Sequence, residues 1–172
     1  MDITLRPLRE EDLDSLSGRE SVGASSPFDD FGHRGAGSLR RGFEIDGFLP
    51  DRGEERGRLA VLEGGTLAGT VSWHSVQYGP NDGSRAFNLG IVLLAEHRGR
   101  GIGPAALRVF ARYLFNHTTV ARLEGSTDVE NVAMNRACER AGFKREGVLR
   151  GAQFRLGIHR DLVLYSLLRS DS

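Results

Sequence analysis

The sequence predicts a mixed α/β sheet with helices on its faces. Three observations carry this prediction. Two apolar runs near the first third of the chain are joined by Glu63-Gly64-Gly65, the pattern of a β-hairpin whose turn needs φ > 0. In the middle, a strand, a glycine-rich loop and an amphipathic helix follow one another. A further strand and helix then lead into a closing pair of strands, so the order is β-rich, then βαβα, then ββ.

Each element has its own signal. Ile3, Leu5 and Pro7-Leu8 read as a short first strand, and Arg9 to Leu16 as a short acidic helix. Gly18 to Gly37 is rich in Ser, Gly, Asp and aromatics with weak periodicity. It reads as a long loop, and such loops in compact domains are usually functional or mobile. Leu39, Phe43, Ile45 and Phe48 suggest a second helical stretch, ended by Pro50 and the charged run Asp51 to Arg58. The hairpin runs from Leu59 to Val76, with a further turn at Tyr78 to Gly83. Phe87 to Leu94 is a mostly apolar strand. Ile102, Ala106, Val109, Phe110, Tyr113 and Leu114 have helical spacing over Ile102–Phe115. Val120 to Thr127 reads as a strand and Glu130 to Ala141 as a helix. Phe143–Phe154 and Asp161–Leu168 pair around a turn at Gly157. With 172 residues and no linker, the expectation is one domain over residues 1–172, large enough for a core without disulfides.

Composition excludes several classes. Lys plus Arg and Asp plus Glu are both 23, so no net basic field exists to hold nucleic acid. Lys144 is the sole lysine; the arginine bias suits phosphate and carboxylate binding, although GC-rich coding produces the same bias. No apolar stretch is long enough to span a bilayer, and Met1 to Arg6 lacks the pattern of a secretory signal. Cys138 is alone, which fits a reducing compartment, so a cytoplasmic location is expected. His33, His74, His97, His117 and His159 are scattered without ligand spacing, so no metal is expected. A homodimer is compatible with the sequence.

The most informative segment is Leu93 to Leu107. A strand enters the loop Arg98-Gly99-Arg100-Gly101-Ile102-Gly103, and the loop enters a helix with Pro104 in its first turn. Glycines let backbone N–H groups converge on an anion, and the helix N-terminus adds unpaired donors and partial positive charge. These are the parts of a pyrophosphate site. Gly101 to Ala106 also fits the dinucleotide fingerprint, with Glu124 at about the right distance. However, six residues, Ala95 to Arg100, separate strand and first glycine, and too little chain follows Glu124 for a doubly wound domain.

Arg98 to Gly103 resembles motif A of the GNAT (Gcn5-related N-acetyltransferase) family, Gln/Arg-x-x-Gly-x-Gly/Ala, in full. Asn131, Ala141 to Arg150 and Asp161 to Leu168 resemble the C-terminal half of its Rim-type branch, which acts on ribosomal-protein N-termini and small amines. The likeness is strong from about Leu59 to Leu168 and looser before that. It implies a GNAT fold, with a mixed sheet of about seven strands flanked by about four helices. It also implies acetyl-CoA as acyl donor and a small-molecule amine or a peptide N-terminus as acceptor. The strand Phe87–Leu94, with Ile91 and Leu93, would pair its backbone with the pantetheine arm. Backbone amides of Arg98, Gly99, Arg100, Gly101, Ile102 and Gly103 would hold the pyrophosphate. Asn131 would contact the cofactor arm or a bound water, and Phe87–Leu94 and Val120–Thr127 would splay apart to admit the thioester.

The sequence departs from the family where acid and base usually stand. Asn88 lies on the strand that often carries a glutamate, and Met134 and Cys138 occupy the positions of the usual serine and tyrosine. Positioning then has to supply much of the rate, with a water chain carrying the amine's proton. Asn131 and His74 are the candidate catalytic residues, and Asp128 is a further anchor. Asn131 also fits a helix cap after Thr127-Asp128-Val129-Glu130. Phe28, Asp29, Asp30 and Phe31 form a candidate lid over the acceptor, and Trp73 and Asn88 complete the expected acceptor contacts. Two other functions fit the same residues: a non-catalytic acyl-CoA-binding domain, and a transferase using a longer acyl-CoA or a carrier- or tRNA-bound acyl group.

Overall fold

The computed structural model of the chain describes residues 1–17, 26–28, 31, 37–49 and 55–171. Its strands are β1 (Ile3–Pro7), β2 (Arg56–Glu63), β3 (Thr66–Gln77), β4 (Arg85–Leu93), β5 (Arg122–Asp128), β6 (Lys144–Arg155) and β7 (Ile158–Leu168). They form one seven-stranded sheet in the order β1-β2-β3-β4-β5-β7-β6. Only β4 and β5 run parallel; the other neighbours are antiparallel. Four α-helices are described: α1 (Asp12–Ser17), α2 (Ser38–Asp46), α3 (Ile102–His117) and α4 (Val132–Arg140). The expected mixed sheet with about seven strands and four helices is therefore present.

Local chemistry accounts for the punctuation. Gly64 and Gly65 both have positive φ, 54° and 85°, as a two-residue turn matched to strand twist requires. Leu156 and Gly157 repeat this between β6 and β7, with Leu156 also in the left-handed region at 52°. The second helix ends at Gly47, φ 60°, whose N–H reaches Phe43 O; Pro50 lies outside the described residues. The first helix begins at Asp12 and not at Arg9, because Asp12 takes the Arg9 N–H at 2.8 Å and both guanidinium nitrogens of Arg6 at 2.7 and 2.8 Å. The Arg6 bonds hold this carboxyl below its ordinary range.

The main core lies between one face of the sheet and the helices α3 and α4. The α3 stripe Ile102, Ala106, Leu107, Phe110, Ala111, Leu114 and Phe115 is buried, as its 3.6-residue period demands. It meets Val71, Trp73, Phe87, Leu89, Leu123 and Tyr165. A smaller cluster on the other face packs Leu39, Phe43 and Phe48 of the α2 region with Leu8, Leu16 and Ala60. Trp73 was expected to touch an acceptor; the structure corrects this. Its ring is 4% exposed, lies 5.9 Å from the Phe110 ring and covers Gly57, where a Cβ would sit 2.1 Å from the indole. Alternation along β3 then puts His74 on the opposite face.

Trp73→Ala should therefore cost about 3–5 kcal/mol of stability, as for other large buried aromatics. Urea unfolding checks this, and a loss under about 1 kcal/mol would contradict the core assignment.

Candidate active site: the fork between two parallel strands

The parallel ladder between β4 and β5 has two rungs, Phe87↔Leu123 and Asn88↔Glu124. At the next position the strands are still close, since a Cβ on Gly125 would lie 3.6 Å from Leu89 O. Beyond it they part. β4 continues to Leu93 against β3 on its other side, through Val71↔Ile91 and Gly69↔Leu93. β5 continues to Asp128 against β7. The β4 edge around Ile91 and Leu93 thus faces a cleft with no strand across it. An extended, amide-bearing arm can add to such an edge through main-chain hydrogen bonds.

The glycine loop closes the wide end of this fork. Gly99 and Gly101 have φ of 72° and 81°, in the left-handed region that other residues adopt only at a cost. Gly101 is the N-cap of α3 and has no side chain to offer the first-turn N–H groups. The amides of Ile102 and Gly103 have no helical acceptor by position, the arrangement in which a helix N-terminus can take an anion. Arg98, Gly99, Arg100 and Gly101 are exposed, whereas Ile102 is buried and pins the helix to the core. Gly103 has a different reason to be small. A Cβ there would lie 3.9 Å from both Ala137 and Leu93, so larger side chains would press α3 away from α4 and β4.

Four side chains hold this loop, and only two of them, Arg98 and Arg100, were visible in its motif. Arg98 Nε donates to Leu93 O at 3.1 Å, tying the loop to the end of β4. Arg100 Nη2 donates to Glu63 Oε1 at 3.1 Å, and the same carboxylate meets the buried His97 Nδ1 at 3.0 Å through Oε2. Glu63 comes from the β2–β3 hairpin, 34 and 37 residues away, so no local pattern signals it.

The opposite wall is the end of β5 and the start of α4. Asn131 is the N-cap of α4, its Oδ1 accepting the Met134 N–H at 3.1 Å. Asn135 Nδ2 collects the carbonyls of Asp128 and Asn131, and Tyr165 donates to Asn135 Oδ1 at 3.0 Å. Asp128 Oδ1 takes the Glu130 N–H at 2.8 Å, and Oδ2 pairs with Arg155 Nη2; both side chains are almost fully buried. Burial alone would raise the Asp128 carboxyl, but the Glu130 N–H and the Arg155 guanidinium outweigh it and hold it below its ordinary range. Arg155 also lies 5.5 Å from the Phe28 ring centroid and donates to Phe28 O at 3.5 Å. Phe28 therefore anchors its segment to this pair. Phe31 is exposed, and Asp29 and Asp30 lie outside the described residues.

Across the sheet, on the face opposite Trp73, one register row carries His74, Asn88, Glu124 and Ser166 on β3, β4, β5 and β7. Two expected site residues, His74 and Asn88, are thus brought into line at the last rung before the fork. Glu124 joins them, a carboxylate that the sequence placed only in the dinucleotide alternative. It is 3% exposed, and its Oε2 accepts Tyr78 Oη at 2.8 Å and Arg122 Nε at 3.0 Å. Its second oxygen, Oε1, takes part in neither bond. Burial, then the Glu124 bond, push the Tyr78 hydroxyl above its usual range. Arg122 continues to Glu146 through Nη1 and Nη2 at 2.7 and 2.6 Å, and Ser166 donates to Glu146 Oε1 at 2.6 Å. These bonds, Arg122 first, hold Glu146 down at about 2. Cys138 is buried, and burial pushes its thiol up to about 11, so it packs as a small apolar side chain. Among the described residues no cluster of His, Cys, Asp and Glu has the geometry of a metal site, and no helix is long and apolar enough to cross a membrane.

The family model described as an acetyltransferase (GNAT) domain matches residues 2–144. YdaF of Bacillus subtilis, provisionally named a ribosomal N-acetyltransferase, is 32% identical over 111 residues, 64% of this chain and 58% of YdaF. YoaA of the same organism, an uncharacterised N-acetyltransferase, is 26% identical over 103 residues, 60% of this chain and 56% of YoaA. The matches thus span less than two thirds of these curated relatives. Among solved structures, spermidine N-acetyltransferase from Vibrio cholerae in complex with CoA and spermine superposes with a TM-score of 0.79 at 22% identity, covering 98% of this chain and 96% of that one. Mycobacterium smegmatis RimJ in complex with CoA-disulfide gives 0.80 at 19%, covering 98% and 83%. These two show the likeness of fold.

The row's ion pairs have a pH signature. Glu146 is lowered from 4.5 to about 2, so its contribution is fully present above pH 4.5 and is lost as pH falls toward about 2. Urea unfolding of wild type and Glu146→Gln should give a stability gap that is constant above pH 4.5 and shrinks below it. A gap independent of pH over that window would contradict the Arg122–Glu146 pairing.

Proposed function

The chain belongs to the GNAT acetyltransferase family, and on that premise we propose that it transfers an acetyl group from acetyl-CoA to a primary amine of a small molecule or peptide N-terminus. The transfer is by direct attack in a ternary complex. The observation that carries this reading is the fork. A free β4 edge, a glycine-capped helix N-terminus after its open end and a polar row at its apex all follow from where β4 leaves β5.

The residues fit the donor. The open space at Gly99, where a Cβ would meet nothing within 4 Å, and the left-handed Gly101 leave backbone donors exposed for a pyrophosphate. Arg98 and Arg100, already fixed by Leu93 O and Glu63, add charge without having to be ordered on binding. Ile91 and Leu93 offer main-chain groups to the pantetheine amides, and Asn131 borders the far wall as cap and contact. When bound, acetyl-CoA supplies an activated thioester carbonyl. The protein holds the amine beside it. Asn88 and His74 orient the amine on the row, and Glu124 Oε1 accepts its proton, directly or through one water. Glu124 takes the place of the glutamate that the family often carries on β4. It also favours catalysis over a purely CoA-binding role, which would need no carboxylate at the apex. Phe28 and Phe31 border the acceptor side, and Asp29 lies outside the described residues.

Acetylation followed by thiol release over a panel of primary amines tests the reading. Glu124→Gln should lower kcat about 10²-fold or more while leaving CoA affinity within about twofold. Gly101→Val should do the reverse, weakening CoA by at least about tenfold, the equivalent of one lost charge-assisted contact. Wild type that releases no thiol with any amine, or Gly101→Val that binds CoA as wild type does, would contradict it.

A further inference from the structure

A glutamate that takes a proton from an amine must present one oxygen to it and hold that oxygen in place. Glu124 is almost fully buried, and its two oxygens are used unequally. Oε2 accepts from Tyr78 Oη and from Arg122 Nε, whereas Oε1 takes part in neither bond. Accepting the acetyl-transfer reading with Glu124 as proton acceptor, we infer that Tyr78 is a positioning residue for the reaction. Its phenol fixes Oε2 and leaves Oε1 for the amine.

Arg122 is too committed elsewhere to do this alone. Its Nη1 and Nη2 both donate to Glu146, so Nε is the donor turned to Glu124. A carboxylate held by one donor can turn about its side-chain bonds and exchange its oxygens; a second donor from another element stops this. Tyr78 supplies it from just beyond the end of β3. The turn that Tyr78 opens is braced by its own bonds. Tyr78 N–H donates to Ser84 O at 3.0 Å, closing the turn into β4. Gln77 Nε2 donates to Gly79 O at 2.5 Å and to Asn81 O at 2.7 Å, and Ser84 Oγ donates to Asn81 Oδ1 at 2.8 Å. The Arg122 guanidinium also flanks the Tyr78 ring, 5.8 Å from its centroid. Burial, then the Glu124 bond, hold the phenol's titration above its usual range, so it stays a donor. The amine's proton goes to Glu124 Oε1 while Tyr78 keeps its own, and Tyr78 thus acts through Glu124.

The chain has three tyrosines, so labelling tyrosine at the ζ-carbon gives three resonances, and Tyr78→Phe identifies that of Tyr78. Tyr78 is 61% exposed, so this variant keeps the fold, which unchanged Tyr113 and Tyr165 resonances verify. The first measurement is the Tyr78 resonance in Glu124→Gln, which needs no turnover. The second is the kinetics of wild type, Tyr78→Phe, Glu124→Gln and the double variant with the panel amine turned over fastest. The Tyr78 resonance should move in Glu124→Gln. Tyr78→Phe should lower kcat about tenfold, the effect of one lost hydrogen bond to a charged group, with amine KM and CoA affinity within about twofold. On the Glu124→Gln background the same change should alter kcat by less than about twofold, since no base is left to hold. An unmoved resonance, an equal loss of kcat on both backgrounds, or a loss carried by KM or CoA affinity overturns the role of Tyr78. Wild type without turnover, or Glu124→Gln as active as wild type, contradicts Glu124 as proton acceptor, and the Tyr78 role falls with it even where the resonance moves.

Discussion

The structure depends on how briefly β4 and β5 pair. Two parallel rungs join them, and the sheet then opens without losing continuity, because each strand keeps its antiparallel partner, β3 or β7. Backbone groups left unpaired inside a sheet are costly unless water or a ligand satisfies them. The fork is therefore a demand for an extended ligand as much as a space for one. The parallel orientation itself requires the crossover that α3 supplies. It follows that the helix N-terminus arrives beside the end of β4, where the cleft is widest. Loop, free edge and polar row are consequences of one topological choice.

Holding such a fork open requires walls that do not relax. One wall is the Glu63 clamp on His97 and Arg100. The other is the Asp128–Arg155 pair, on which Phe28 rests. A buried ion pair of this kind adds little net stability over apolar packing, because desolvation offsets most of the attraction, yet breaking it by removing one partner costs about 3–5 kcal/mol. Among the described residues Arg155 Nε is buried without a partner, which marks a geometry held by the surrounding strands and not optimised for the guanidinium. Fixing the cleft walls explains this arrangement better than stability does.

What could be read from the sequence was local. The Gly64-Gly65 turn, the loop from Arg98 into the helix at Ile102 and most of the α3 stripe are each written within a few consecutive residues and stand where the sequence places them, although Val109 and Tyr113 are only partly buried. Helix ends were less legible: Gly47 ends the second helix three residues before Pro50, and Asp12 gathers bonds from Arg6 and Arg9. Glu124, the proposed proton acceptor, was missed because cross-strand register is a long-range property. Tyr78 and Glu124 are 46 residues apart, and Arg122 meets Glu146 across 24. Trp73 was assigned to the acceptor although alternation with His74 already separated their faces; which face would be the core depended on where α3 packs. The signal for Glu124 was present in one form, a glutamate two residues after Arg122 in the strand start Val120 to Gly125, where a buried charge needs partners.

The central claim is that the fork between β4 and β5 receives CoA. The most direct measurement is an amide chemical-shift titration of the isotopically labelled protein with CoA. The account predicts the largest changes at Ile91, Leu93, Gly99, Gly101, Ile102 and Gly103, with Asn131 affected on the opposite wall and β1 and β6 silent. Saturable shifts confined to other residues, or no shifts at millimolar CoA, would contradict it.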